Sequence, residues 1–264
     1  MLKSLDRGLS IAKYLAVKKS ASITEIAEKF NIDKSTASRI LAVLKKQDIV
    51  YKNNQNMKYS LSIGALLFSF RLMSAHAIIN VAQSVLQDLT AQTHETAHLC
   101  SLYNDQIYLL SLLKSPQNKY MPDSCLPGQV EPFHCSAVGK VILANMLPSD
   151  ARLLLERSEL TGYTENTIVN IEELMEQFAV IRRNGYALDE GEYAKGICCV
   201  AVPVYNEYGD PTFSLGITGY QRNITSKDLF EDKLLKLRSA ARKLTKEYVT
   251  YIHSERESSV NGTD

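Results

Sequence analysis

His94-Glu95-Thr96-Ala97-His98 has the spacing H-E-x-x-H. On a helix that spacing places two imidazoles one turn apart on one face, with a carboxylate beside them to act as base, the arrangement of a zinc-dependent hydrolase. The flanking pattern opposes it. Residues 77–93 carry Val81, Val85, Leu86 and Leu89 at helical spacing, whereas Leu99–Tyr103 and Ile107–Leu113 read as strands turning at Asn104-Asp105. The motif therefore falls where a helix gives way to a strand, and a strand would set His94 and His98 about 13 Å apart. The next carboxylates, Asp105 in the turn and Asp123 in a loop, offer no nearby third ligand. His134-Cys135 raises a second possibility, a thiol nucleophile beside its base, but adjacent residues rarely align that way and no orienting partner is evident. The hydrolase stays as the alternative reading, with no metal or other cofactor expected in the leading one.

A third group concerns anions. Ser136 stands before Ala137-Val138-Gly139-Lys140 as the cap of a helix running to about Met146. The first amides of such a helix are unpaired and lie at the positive end of its dipole, so Ala137 and Val138 could cradle a carboxylate. A capped helix that binds nothing is the alternative.

A fourth group is basic and lies near the N-terminus. Residues 1–62 carry twelve Lys/Arg against five Asp/Glu, a net of +7, while the rest carries eighteen against twenty-four, a net of −6. A compact basic head suits a polyanion, since each cation that meets a phosphate releases a counterion. Helical spacing marks residues 5–17. Ser22-Ile23-Thr24-Glu25 is a capping box opening a helix to Phe30, Asn31-Ile32 turns the chain, and Asp33 caps a third helix from Lys34 to Lys46. Ala37, Ile40, Leu41 and Leu44 form its inner face, and Ser35, Thr36, Ser38, Arg39 and Val43 its outer one. That is a helix-turn-helix whose second helix offers short hydroxyls and an arginine to a major groove. Residues 49–52 and 57–61 then form a hairpin around Asn53-Asn54-Gln55-Asn56, a wing bearing Lys52 and Lys58. The residues expected to meet DNA are Lys34, Ser35, Thr36, Ser38, Arg39, Lys52 and Lys58.

These segments, together with Ser4-Leu5-Asp6-Arg7-Gly8-Leu9-Ser10-Ile11, resemble the IclR family of bacterial transcriptional regulators. The resemblance continues through Pro132–Lys140, Gly185–Asp189 and Gly196–Val204, in order and over essentially the whole chain. It implies a winged helix-turn-helix over 1–62, a linker and dimerisation helix over 63–76 and a GAF-like α+β effector-binding domain over 77–253, while the polar composition of 254–264 reads as a flexible tail. Independently of it, mixed helices and hairpins indicate an α+β body. An apolar face of Leu66, Leu67, Phe70, Leu72 and Met73 marks the linker as a packed helix. The family implies a homodimer or homotetramer on a pseudopalindromic operator, repression of catabolic genes, and a small organic-acid effector. Carried over by position, the effector site comprises Ala137, Val138, Asp189, Cys199, Gly216 and Thr218. The strand 215–219 departs from a family pattern with two hydroxyls two residues apart: Thr218 keeps one and Gly216 has none. The missing side chain implies room for a larger ligand, a sugar acid before an aromatic acid.

The start of the chain shows no secretory signal pattern, and Ile63–Phe70 is too short to span a bilayer. Five cysteines without a C-x-x-C pair point to a reducing cytoplasm rather than a disulfide framework.

Overall fold

The computed structural model describes residues 3–117 and 125–261, without side chains at 70–75, 227–228 and 255–261. The chain divides into two compact units, residues 1–76 and 77–264.

In the first unit, α1 (Lys3–Lys18), α2 (Ile23–Lys29) and α3 (Lys34–Lys46) enclose a core of Ile11, Leu15, Ile26, Ala27, Ala37, Ile40 and Leu41. Ser22 closes the capping box of α2: its hydroxyl accepts from the Glu25 amide and the Glu25 carboxylate accepts from the Ser22 amide. Asn31 takes a left-handed φ of 48°, which turns the chain sharply into α3. The wing strands β1 (Val50–Lys52) and β2 (Tyr59–Leu61) pair antiparallel, and Ala21 bridges to Tyr59, tying the hairpin to the helices. A helix, α4 (Ile63–Ala75), follows. Ile63, Leu66, Leu67 and Phe68 are exposed on it, so the single chain leaves this apolar face uncovered where packing was expected. The side chains of Phe70, Leu72 and Met73 lie outside the described residues, as does Asp123.

The second unit is a six-stranded antiparallel sheet of order β5-β4-β3-β8-β7-β6, from β3 (Thr96–Tyr103), β4 (Gln106–Leu113), β5 (Val130–Glu131), β6 (Ala187–Glu190), β7 (Ile197–Val204) and β8 (Phe213–Tyr220). On one face lie α5 (Ala77–Thr93) and α10 (Lys227–Asn261), packed on Ala97, Leu99, Val200, Leu215 and Ile217. On the other lie α6 (Ala137–Asn145), α7 (Pro148–Glu156) and α8 (Ile171–Asn184), packed on Cys100, Leu109, Cys199 and Ala201. The two-residue period of β7 sends the adjacent Cys198 and Cys199 to opposite cores. Gly185 ends α8 at φ 70°, a left-handed cap that glycine reaches without strain. A short helix, α9 (Gln221–Ile224), leads into α10, which runs on to Asn261, past residue 254 where a flexible tail was expected to begin. Ser254-Glu255-Arg256-Glu257 is polar but made largely of good helix formers, so polarity alone misplaces the helix end.

Candidate nucleic-acid interface and body cavity

Asp33 organises the outer face of α3. Its carboxylate accepts from the Thr36 amide at 2.8 Å and from the hydroxyls of Ser35 at 2.5 Å and Thr36 at 2.7 Å. These bonds, Ser35 first, hold the Asp33 carboxyl well below the usual carboxylate range. Both hydroxyl protons are thereby committed to the cap, which leaves the oxygens as acceptors. Arg39 donates to Thr36 Oγ1 at 3.2 Å, one turn along the helix. Lys34, Ser35, Ser38 and Arg39 are exposed and Thr36 is half-buried, so all five sit on one accessible face. On the wing, Lys58 pairs with Glu25 at 3.7 Å and Lys52 lies over the Tyr59 ring, both half-buried.

The zinc reading fails on geometry. His94 holds a left-handed φ of 58° after α5, and β3 begins two residues later, so the helical face that H-E-x-x-H requires does not form. Glu95 is buried against α10, where Lys233 donates to it at 2.6 Å. No cluster among the described residues has three His, Cys, Asp or Glu placed to hold a metal. The thiol reading fails as well: His134 donates from Nε2 to the Thr161 carbonyl at 3.0 Å, and burial pushes the Cys135 thiol up to about 12.

The body contains a cavity of about 490 Å³ between the sheet and α6. Val138, Asp189, Cys199 and Thr218 line it, with Ser136, His98, Gln129, Glu131 and Tyr193. Residues far apart in sequence thus meet because β7 and β8 pair Cys199 with Thr218 and β6 pairs Asp189 with Cys199. Ser136 caps α6 through the Gly139 amide at 3.1 Å, which places the start of that helix at the cavity. Burial raises the Asp189 carboxyl to about 7, against the pull of the Glu192 and Tyr193 amides that donate to its Oδ1. Behind the wall, Lys140 is wholly buried and its ammonium meets Glu192 at 2.5 Å.

Two of the six expected effector residues stand off the wall. Ala137 is buried within the helix packing, leaving only its backbone near the site. Gly216 does not open space: a Cβ there would meet His98 Nε2 at 2.7 Å, so the His98 ring fills the room that the absent side chain leaves. His98, Glu131, Gln129 and Tyr193 escaped sequence reasoning. His98 was visible only as half of a metal motif, and its pairing opposite Gly216 across β3 and β8 has no local signal.

A basic helix-turn-helix with its wing, followed by an α+β unit that encloses a ligand-sized cavity, defines a DNA-binding transcriptional regulator rather than an enzyme. Residues 4–54 match the IclR helix-turn-helix domain and residues 70–246 the bacterial transcriptional regulator IclR C-terminal domain. The chain belongs to the IclR family of transcriptional regulators. It is similar to the regulator KdgR of Dickeya chrysanthemi, 29% identical over 92% of this chain and 79% of that one. It is also similar to the transcriptional repressor IclR of Escherichia coli, 25% identical over 90% and 88%. An IclR transcriptional regulator from Alicyclobacillus acidocaldarius shares the fold with a TM-score of 0.82 and 27% identity, over 94% of this chain and 99% of that one. No helix among the described residues is long and apolar enough to cross a membrane.

Proposed function

We propose that this chain is a cytoplasmic repressor of catabolic genes that answers to a small organic acid held in the body cavity. The observation that carries the reading is the meeting of Val138, Asp189, Cys199 and Thr218 on one wall with the start of α6. There the amides of Ala137 and Val138, at the positive end of the helix, would receive the carboxylate. Asp189, Cys199 and Thr218 would contact the rest of the ligand, a sugar acid first and an aromatic acid second. Lys34, Ser35, Thr36, Ser38 and Arg39 would enter the major groove, and Lys52 and Lys58 would meet the phosphates.

The exposed apolar run on α4 supports self-association as a dimer or tetramer, since a patch of this kind on a single chain usually has a partner. A two-fold dimer would present two α3 helices to a pseudopalindrome. Ligand binding would then shift the placement of the paired heads, and a coupling of about 1–3 kcal/mol changes operator affinity about 5- to 150-fold. The test is fluorescence anisotropy of the full chain on duplexes from its own promoter region, with and without organic acids found to raise its melting temperature. Acid-dependent release supports the reading. An acid that binds without changing DNA affinity overturns it.

A further inference from the structure

The ladder between β3 and β8 sets His98 directly opposite Gly216, and the ladder between β7 and β8 sets Ala201 on the other side of the same glycine. The neighbouring row on that face is Thr96, Thr218 and Cys199. Two cavity residues, Thr218 and Cys199, thus belong to the row beside His98 and share its face, because side chains two apart along a strand point the same way. The imidazole lies over Gly216 and reaches diagonally to Cys199, with Nε2 3.7 Å from Sγ. A Cβ at residue 216 would stand 2.7 Å from Nε2, 2.9 Å from Cε1 and 3.0 Å from Val138 Cγ1. Any side chain at 216 therefore expels the ring. The glycine and the histidine are two halves of one device that presents an imidazole edge to the cavity beside the start of α6.

We propose that His98, admitted by Gly216, is the specificity-determining residue of this cavity, and that it selects acids carrying hydroxyl groups by accepting a hydrogen bond from one of them. The proposal rests on the reading of the cavity as the effector site. Burial holds the His98 ring at about 4, so near neutrality it is uncharged and has no electrostatic claim on a carboxylate. A neutral imidazole has one N–H and one lone pair; the N–H faces the Thr96 backbone, which leaves the lone pair for a ligand's donor. The rest of the wall favours the same chemistry. None of its described residues is Lys or Arg, whereas Glu131 and Asp189 add carboxyl oxygens. A ligand rich in O–H donors finds more partners on this wall than a plain oxoacid, which carries acceptors alone.

The experiment is calorimetric titration of the full chain with three probes: D-gluconate, pyruvate and 4-hydroxybenzoate. Wild type is expected to bind gluconate more tightly than pyruvate. His98→Leu should weaken gluconate at least tenfold and pyruvate no more than about twofold. His98→Gln, which keeps an acceptor, should recover most of the loss. Gly216→Ala should weaken gluconate as His98→Leu does, although it leaves the histidine in the chain. Thermal unfolding and circular dichroism of each variant check that the chain is folded. Gluconate affinity that survives both His98→Leu and Gly216→Ala overturns the role of His98 while leaving the cavity as the effector site. A wild type that binds pyruvate in preference to gluconate overturns the selection for hydroxyls. Binding of none of the three acids overturns both this proposal and the acid-effector reading beneath it.

Discussion

Replacing Lys140 by Met removes one half of a buried ion pair and keeps most of its volume. The ammonium has no exposed surface, and Glu192, its partner at 2.5 Å, is nearly as buried. Glu192 Oε2 already has no hydrogen-bond partner, and burial is the main cause that raises its carboxyl above the usual range. Once Lys140 is gone the carboxylate must stay charged and alone or take up a proton, and breaking a buried pair from one side costs about 3–5 kcal/mol. For a unit of this size each kcal/mol lowers the melting temperature by about 2–4 °C, so the expected fall is about 6–20 °C. The backbone of Glu192 is held independently: its amide donates to Asp189 at 2.7 Å and its carbonyl accepts from Thr167 at 2.6 Å. The loop before β7 should therefore keep its course, and Lys140→Met with Glu192→Leu should regain most of the loss, since apolar replacement of the whole pair is often neutral. Differential scanning calorimetry of wild type, both single variants and the double variant measures the coupling. A Lys140→Met chain within about 1 kcal/mol of wild type, or a double variant as unstable as the two singles summed, would show that Lys140 and Glu192 are not energetically coupled.

Arg39→Ala should weaken operator binding by about 1–3 kcal/mol, as loss of one base contact does, with the oligomeric state by sedimentation unchanged. Lys52→Gln should lower affinity evenly across operator sequences and reduce the slope of log affinity against log salt by about 0.9, read from anisotropy titrations at several salt concentrations. Asp189→Asn addresses pH. The folded carboxyl titrates at about 7 against an ordinary 3.8, so the native state binds the extra proton between those values. Its contribution to stability is present in full below about 3.8 and is lost as pH rises through about 7. Asn keeps an oxygen for the two loop amides and has no proton to lose, so the variant should gain melting temperature relative to wild type between pH 5.5 and 8. A constant difference across that range would contradict the burial argument.

The head was legible because its signals are local. A capping box at Ser22, a cap at Asp33 and an apolar stripe of Ala37, Ile40 and Leu41 each act within one or two turns of helix, and the structure contains them as read. The first hairpin of the body was legible for the same reason, from short apolar runs and from Asn104-Asp105, both in left-handed conformation. The strands β5 and β6 were not: one is two residues long and the other follows a helix cap without its own turn, so their pairing partners define them. The cavity was legible in part. Asp189, Cys199 and Thr218 came from a likeness to a family and fall on one wall. Gly216 was read as empty space because nothing in the sequence reveals which residue stands opposite in an antiparallel ladder. The same blindness hid His98 inside a metal motif, since H-E-x-x-H has meaning only when all five residues are helical.

The DNA-binding function rests on the outer face of α3 reading a duplex. The most direct measurement is selection of bound sequences from a random duplex library by the full chain and by Arg39→Ala at fixed, moderate salt. Wild type should select an inverted repeat with half-sites about one helical turn apart, and the variant should lose preference at one base pair in each half-site. Recovery of no sequence, or of the same sequence with undiminished preference from Arg39→Ala, would contradict that role of α3.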